Sequence, residues 1–109
     1  MKTDVESRLP KADFAVIVQG DGMKDDRIYD GDIVYIRAQN TAENGQITAI
    51  ILDDAVLLGR YWKTEWGFFL QPSNADYSPR IFRAEEGLPE IVGIAVAAHI
   101  HFPAGEVSK

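Results

Sequence analysis

The sequence contains no cysteine, which excludes disulfide bonds, thiolate nucleophiles and cysteine-ligated zinc. It also has no excess of positive charge. Eleven Lys and Arg residues stand against seventeen Asp and Glu residues, so the net charge is −6. This is the wrong sign for a surface that attracts nucleic acid phosphates. We therefore expect no direct contact between this chain and nucleic acid.

Long hydrophobic runs are absent as well. No stretch approaches the roughly 18 apolar residues of a membrane-spanning helix, and the first ten residues have no apolar core of the kind found in signal peptides. We therefore expect no membrane association and a cytoplasmic location. The length of 109 residues and a hydrophobic content of 46% are ordinary for one globular domain.

Long amphipathic helices are missing too, and the pattern instead predicts short strands separated by turn signals. The predicted strands are 14–18, 32–37, 46–52, 56–62, 66–70, 81–83 and 90–102. The first is expected to be an inner strand because it is apolar throughout, and segment 23–29 is long enough for one or two helical turns. The expected fold class is mostly β. We assign residues 1–11 to a flexible arm, 12–103 to the domain and 104–109 to a tail.

The last predicted strand has large apolar residues at its even positions and small residues or histidines at its odd positions. We therefore expect the even positions to face the core and the odd positions to allow close approach. His99 and His101 would project from one face, a spacing that can chelate a metal, but no third ligand is evident. They are expected at the surface or at a subunit interface, with no metal bound.

Two other side-chain clusters are candidates for binding. Four carboxylates could hold calcium but lack the alternation of an EF-hand, so they are expected to be solvated turn residues: Asp25, Asp26, Asp30 and Asp32. Five aromatic residues surround one hairpin: Tyr61, Trp62, Trp66, Phe68 and Phe69. Both faces of such a hairpin cannot be core in a domain this small, so some of these rings are expected to cover a partner or line a cleft.

The order of several short motifs resembles the LexA-like family of serine-lysine peptidase domains, which includes domains of LexA, CI repressors and UmuD. An apolar strand leads into Gly20-Asp21-Gly22-Met23 and is followed by Asp30-Gly31-Asp32 and a second apolar strand. Asn44-Gly45-Gln46, Leu70-Gln71-Pro72 and Gly93 continue the resemblance in the same order. It implies a LexA-type fold of twisted, multi-stranded sheets in a barrel-like β assembly.

The resemblance places a glycine at each catalytic position. Active members carry a serine nucleophile in Gly-x-Ser-Met and a lysine base on a later strand, and these positions fall on Gly22 and Gly59. Neither glycine can attack a carbonyl or move a proton, so no catalytic residue and no cofactor is expected. Four residues nearby are not expected to replace the lost groups: Lys24, Lys63, Ser73 and Ser78.

The glycines also have structural explanations. A turn with positive φ would account for Gly22, and a bulge or a close backbone approach would account for Gly59. If a nucleophile has been lost, a buried lysine is only an uncompensated charge, so its loss should stabilise the fold. We favour natural degeneration over engineered inactivation.

The resemblance implies a catalytically inactive, dimerising or regulatory domain of a phage- or mobile-element-type transcriptional repressor, in a class that includes regulators of the SOS response. Such proteins are homodimers with a separate DNA-binding domain. The family's cleavage dipeptide, Ala-Gly or Cys-Gly, does not occur in the eleven residues before Ala12. Two alternatives remain: an active self-cleaving peptidase inactivated by engineered substitutions, or a stand-alone module that binds a peptide or another ligand.

Overall fold

Seven strands and two short 3-10 turns make up the domain. A computed structural model describes residues 11–99, except for the side chain of His99. The strands are β1 (Phe14–Ile17), β2 (Ile33–Ala38), β3 (Ile47–Leu52), β4 (Ala55–Lys63), β5 (Gly67–Gln71), β6 (Arg80–Arg83) and β7 (Glu90–His99). The 3-10 turns are Lys24–Asp26 and Ala84–Glu86. Within residues 11–99 every strand expected from the sequence is present, and the first 3-10 turn lies where a short helical segment was expected. Residues 100–102 of the last expected strand, the expected tail 104–109 and all but the last residue of the expected arm 1–11 lie outside the described part of the chain.

All seven strands belong to one antiparallel sheet with the order β1-β2-β7-β3-β4-β5-β6. The sheet curls into a half-barrel, which confirms the mostly β, LexA-type fold. The last strand, β7, inserts between β2 and β3 and is central to the sheet. The chain therefore closes the domain by joining two parts of the sheet that are built earlier in the sequence.

The position of β1 corrects the sequence-based expectation of an inner strand. Within residues 11–99, β1 pairs only with β2 and lies at an edge of the sheet. Its side chains are largely exposed, and 69% of the surface of Ile17 is accessible to solvent. An apolar strand at an open edge is a natural site for pairing with another chain segment.

Two irregularities in β7 break its predicted alternation. The pairing with β2 skips Val96, and the pairing with β3 skips Val92. The bulge at Val92 shifts the residues after it to the other face, so Ala95, at an odd position, packs against the same cluster as Val92. Ile91, which precedes both bulges, packs against the cluster on the opposite face, because both faces of the sheet carry core. The prediction that only even positions face the core is therefore wrong.

Gly93 meets the expectation of close approach. A Cβ atom there would lie 2.4 Å from both the carbonyl oxygen of Arg37 and Cγ2 of Ile36. No side chain fits at this separation without movement of the β2 backbone, because the carbonyl belongs to a paired strand. Glycine at position 93 is a packing requirement of the fold.

Buried side chains form two clusters on opposite faces of the sheet. Ala49 belongs to one and its neighbour Ile50 to the other, as expected for successive residues of a strand. The first cluster contains Val18, Met23, Ile28, Val34, Ile36 and Ala49. The second contains Ile50, Tyr61, Phe68 and Leu70. The first cluster includes residues directly around Gly22 and so supports the candidate site.

The β3–β4 hairpin closes through Asp53 and Asp54, whose φ angles are 52° and 66°. Two successive positive φ angles are typical of the type I′ turn, whose twist matches that of the flanking strands. The two strands expected at 46–52 and 56–62 are thus joined in a hairpin. It projects residues 55–58 of β4 beyond the end of β5, because β5 begins its pairing with β4 only at Arg60.

Candidate functional site

A groove of about 770 Å³ runs between the edge strand β1 and the first half of β4. Its floor and walls are mainly apolar, and the loop before β6 closes one side. The lining residues are Val16, Ile17, Val18, Gln19, Gly22, Met23, Ala55, Val56, Leu57, Leu58, Leu70, Pro72, Tyr77, Ser78 and Arg80. The volume is in the range of ligand and peptide sites.

Two strand edges open onto this groove. Among the described strands, none pairs with the outer side of β1, and only β3 pairs with residues 55–58 of β4. The backbone hydrogen bonds of Val18 go to the residues just before β2, and its amide donates to the carbonyl oxygen of Asp32 at 2.8 Å. Because hydrogen bonding alternates along an antiparallel strand, Ile17 and Gln19 direct their backbone groups outward. The groove therefore offers backbone donors and acceptors as well as apolar side chains.

Gly22 lines the groove, and its backbone does not require glycine. Its φ lies outside the left-handed region, and a Cβ atom built there would meet nothing within 4 Å. The explanation of Gly22 by a positive-φ turn is therefore wrong. The left-handed residue in this turn is Gly20, with φ of 84°, and its amide donates to Oδ1 of Asp30 at 2.7 Å.

Gly59 is buried on β4, in regular register with Thr48 of β3, and is not itself a lining residue. A Cβ atom at Gly59 would lie 3.0 Å from Cβ of Leu70 and 3.4 Å from the carbonyl oxygen of Gln71. Close approach is thus confirmed there, and a bulge is not present. Since Leu70 lines the groove, both glycines border it, Gly22 directly and Gly59 through one side chain.

Of the four residues considered as replacements, only Ser78 lines the groove. Lys24 and Lys63 are exposed elsewhere. No lysine, histidine or carboxylate belongs to the part of the lining within residues 11–99. Ser78 therefore has no base beside it that could accept its proton.

Arg60 joins the segment after β1 to the rest of the domain. Its Nη2 donates to Oδ1 of Asp26 at 2.8 Å, and its Nη1 donates to the carbonyl of Gly45. The hydroxyl of Ser73 donates to the other oxygen of Asp26. Ser73 thus bonds a residue 47 positions away in the chain rather than its local backbone.

These contacts lower the pKa of Asp26. The hydrogen bond from Arg60 is the largest cause and the one from Ser73 contributes further, while partial burial opposes both. Each donor favours the ionised carboxylate. The network keeps Asp26 charged and holds the 3-10 turn against the loop that precedes β6.

A second link between the same segments involves Asp21. Its carboxylate accepts a hydrogen bond from the hydroxyl of Tyr77, and its carbonyl accepts one from Nδ2 of Asn74 at 2.7 Å. The bond to Asp21 raises the pKa of Tyr77, because losing the proton would leave two negative charges together. Gly22 is therefore flanked by an anchored residue on its N-terminal side.

Three of the four aspartates expected to be solvated have defined structural contacts, and the fourth, Asp25, is exposed. Asp32 is 2% exposed, and its Oδ2 accepts from the amide of Tyr29 at 2.8 Å. Asp26 and Asp30 are engaged as described above. Within residues 11–99, no three His, Asp or Glu side chains are grouped so that they could hold a metal ion. His101 and the side chain of His99 lie outside the described part of the chain.

The five aromatic residues divide between core and surface. Tyr61 and Phe68 are buried, with ring centroids 5.0 Å apart, and Phe82 extends the stack. Trp66 is 37% exposed and lies under the guanidinium of Arg83. None of the five lines the groove, so the expectation that some of them line a cleft is not met there.

Sequence reasoning did not identify Arg80 or the open edge at residues 55–58. The place of Arg80 in the groove could not be predicted, because it depends on where the loop before β6 brings the chain back to the sheet. The second had a signal, since the expected strand 56–62 is longer than its expected partner 66–70. The chain's one Ala-Gly dipeptide, Ala104-Gly105, was also overlooked; it lies outside the described residues.

Comparison with known proteins identifies the domain. Relatives include the LexA repressors of Caldicellulosiruptor saccharolyticus (36% identity, 74% of this chain and 40% of the repressor) and Thermotoga maritima (36%, 74% and 42%). The LexA repressor of Bifidobacterium adolescentis is 46% identical over 61% of this chain and 26% of its own length. The chain thus spans less than half of the curated relatives it matches.

The described residues contain no helix that is long and apolar enough to cross a bilayer. The profile of the Peptidase S24-like family matches residues 2–96, which is most of the sequence. The curled antiparallel sheet agrees with this match. The chain belongs to the Peptidase S24-like family.

Proposed function

We propose that this chain is a catalytically inactive S24-like domain that serves pairing and regulation in a cytoplasmic transcriptional repressor of the phage or mobile-element type. DNA binding would be carried out by another domain of the parent protein, and two copies of this domain would set the spacing between half-sites. The proposal combines the family relationship with the chemistry of the groove.

The observation that carries the proposal is the environment of Gly22. Neither backbone conformation nor lack of space explains a glycine there, because φ is compatible with other residues and a Cβ would contact nothing within 4 Å. By resemblance this position belongs to the nucleophile. If the domain has lost its catalytic activity, we expect the nucleophile position to line the groove, to have space for a side chain and to carry none.

The environment of Gly59 supports the same proposal in a different way. Cβ of Leu70 lies 3.0 Å from the position that a Cβ at residue 59 would occupy. A lysine would have to displace this 2% exposed side chain and would bring an amine into an apolar site. With no serine to activate, that amine would lower stability without catalytic benefit.

The test is incubation of the wild-type chain at alkaline pH, with intact mass measured over a day. We expect the mass to stay unchanged, because no lining residue within 11–99 can deprotonate a hydroxyl. A clean cut that persists in protease-free preparations would overturn the proposal. The variant carrying Gly22→Ser and Gly59→Lys is assayed beside it on a peptide supplied in trans. Cleavage by that variant would favour engineered inactivation over natural degeneration.

Pairing is tested separately by sedimentation over a concentration series. We expect a dimer that dissociates on dilution, and monomers at all concentrations would contradict the pairing role. The reading frame that encodes the chain provides a further check, since a helix-turn-helix domain upstream of Met1 is expected for a repressor.

The groove favours a second candidate function, that of a stand-alone peptide-binding module. Apolar lining beside two open strand edges suits an extended peptide, which would add a strand and place alternate side chains in the groove. Binding of unstructured peptides by a monomeric chain would support this candidate over the pairing role.

A further inference from the structure

Three polar side chains of the groove lining make no hydrogen bond or ion pair within residues 11–99: Gln19, Ser78 and Arg80. All three can donate hydrogen bonds, through an amide, a hydroxyl and a guanidinium. Arg80 is exposed and is the one charged residue of the described lining. The groove wall therefore presents donors and a positive charge that no described residue neutralises.

The lining carries no negative charge within residues 11–99, since it includes no Asp or Glu. Asp21 accepts the hydroxyl of the lining residue Tyr77, but Asp21 itself does not line the groove. The groove thus reverses the sign of the chain as a whole, whose net charge is −6. Opposite charges attract more strongly in a partly enclosed apolar site than on an open surface. The site therefore favours a ligand with a negative charge.

The remainder of the groove indicates what kind of ligand carries that charge. A small inorganic anion would leave the apolar lining and the open edges of β1 and residues 55–58 unused, whereas an extended peptide would contact both. The cation is a strand side chain and not a nest of backbone amides of the kind that captures a chain terminus. It therefore suits the side-chain carboxylate of a Glu or Asp within the peptide.

We infer that the groove binds, in trans, an extended and mainly apolar segment of a partner protein that carries one Glu or Asp, whose carboxylate pairs with the guanidinium of Arg80. The open strand edges supply binding that is independent of sequence, and Arg80 determines specificity. The inference rests on the peptide-binding candidate function proposed above and adds charge selectivity to it. It does not require that the domain be catalytic.

The test is titration of the full chain with short synthetic peptides, followed through backbone amide shifts by NMR. The probes are acetylated and amidated peptides of alanine and valine with a single glutamate at each position in turn, each measured beside its glutamine twin. In the best register the glutamate probe should bind about two- to fivefold tighter than its twin, the size of a solvent-accessible ion pair. Shift changes are expected at residues 16–19 and 55–58.

Variants of Arg80 show whether its charge is the cause. Arg80→Gln should bring the glutamate and glutamine probes to equal affinity, and Arg80→Glu should favour a lysine twin instead. Arg83→Gln is the matched control, because Arg83 is an exposed arginine of the same strand that lies over Trp66 and outside the lining. It should leave the preference for glutamate unchanged. Thermal unfolding of each variant shows whether the domain stays folded.

Equal affinity of wild type for the glutamate and glutamine probes would overturn the charge selectivity and leave peptide binding in place. Shift changes away from the groove, or no binding by any probe, would overturn both. Loss of the preference in Arg83→Gln as well as in Arg80→Gln would indicate a general effect of surface charge and would also overturn the inference. Sedimentation and intact mass test pairing and inactivity independently of these titrations.

Discussion

Gly93 in the centre of the sheet and Gly22 at the groove are the same residue type under opposite constraints. At Gly93 a Cβ would lie 2.4 Å from a backbone oxygen, whereas at Gly22 it would meet nothing within 4 Å. The first glycine is required by packing between β7 and β2. The second is not required by anything in the described structure, so its explanation must be sought in function.

Gly59 lies between these extremes. Its hypothetical Cβ would be 3.0 Å from a side-chain atom rather than from backbone. That atom is Cβ of Leu70, which moves only with the β5 backbone, so a few tenths of an ångström of relief require a small shift of the paired strand. The three positions therefore form a graded series in which the response to one added methyl group reports how far the fold depends on glycine.

The largest effect in this series is expected for Gly93→Ala. The methyl group must push apart two paired strands at the centre of the sheet, so we expect a loss of about 3 kcal/mol or more in unfolding free energy. Urea denaturation followed by circular dichroism measures it. A loss below about 1 kcal/mol would show that the backbone of β7 moves to accept the methyl group. Packing would then not distinguish Gly93 from Gly22.

A smaller effect is expected from the Asp26 network beside Gly22. Asp26→Asn should lower stability by about 1 kcal/mol at neutral pH, because the partly exposed pair with Arg60 is screened by solvent. The lowered pKa of Asp26 sets the sign of the pH dependence. Its contribution is present above the unfolded-state pKa, near 4, and is lost as pH falls through the lower folded-state pKa.

This pH dependence is checked by denaturation of wild type and Asp26→Asn between neutral pH and about pH 2. The difference between the two proteins should shrink below about pH 4. Asp76→Asn is the matched control, because the Asp76 carboxylate has no ion pair within residues 11–99. A difference that stays constant down to the acid limit would mean that the Asp26 charge does not contribute.

Gly59→Ala should lower stability by less than about 1 kcal/mol. Strain against Leu70 opposes the gain from a less flexible unfolded chain, and the two effects partly cancel. In a double-mutant cycle with Leu70→Gly, which removes the contacting Cβ atom, the loss caused by the alanine should be smaller. Additive effects of the two substitutions would indicate that the contact is not the cause.

The smallest effect, and the one of opposite sign, is expected for Gly22→Ala. Alanine fits the backbone and the space, so the variant should be stabilised by about 0.4–1 kcal/mol through the unfolded state. Thermal unfolding measures the shift. Destabilisation would reveal a hidden structural role for the glycine and weaken the proposal that a side chain was lost there.

Much of the fold could be predicted from local pattern. The strand ranges followed from short apolar runs separated by polar residues, and Gly93 was identified as a small residue within a strand. The edge position of β1 could not be predicted, because an apolar run does not indicate how many strands pair with it. The bulges of β7 were equally hidden, because register depends on two partner strands at once.

The candidate site shows the same division. The resemblance pointed to positions 22 and 59. In the structure Gly22 lines the groove, and Gly59 lies behind the lining residue Leu70. The free conformation of Gly22 could not be predicted, because glycine next to a turn usually indicates positive φ. Likewise, the long-range partners of Asp26 and Tyr77 follow from loops that meet only after the sheet has curled.

Strands, turns and the family follow from residue order alone, because hydrophobic period and turn chemistry act over a few neighbouring residues. Which glycine the backbone needs, which strand edges stay open and which cation faces the groove were decided by the tertiary structure. These properties depend on distances between segments far apart in the chain, and only the curled seven-stranded sheet sets those distances.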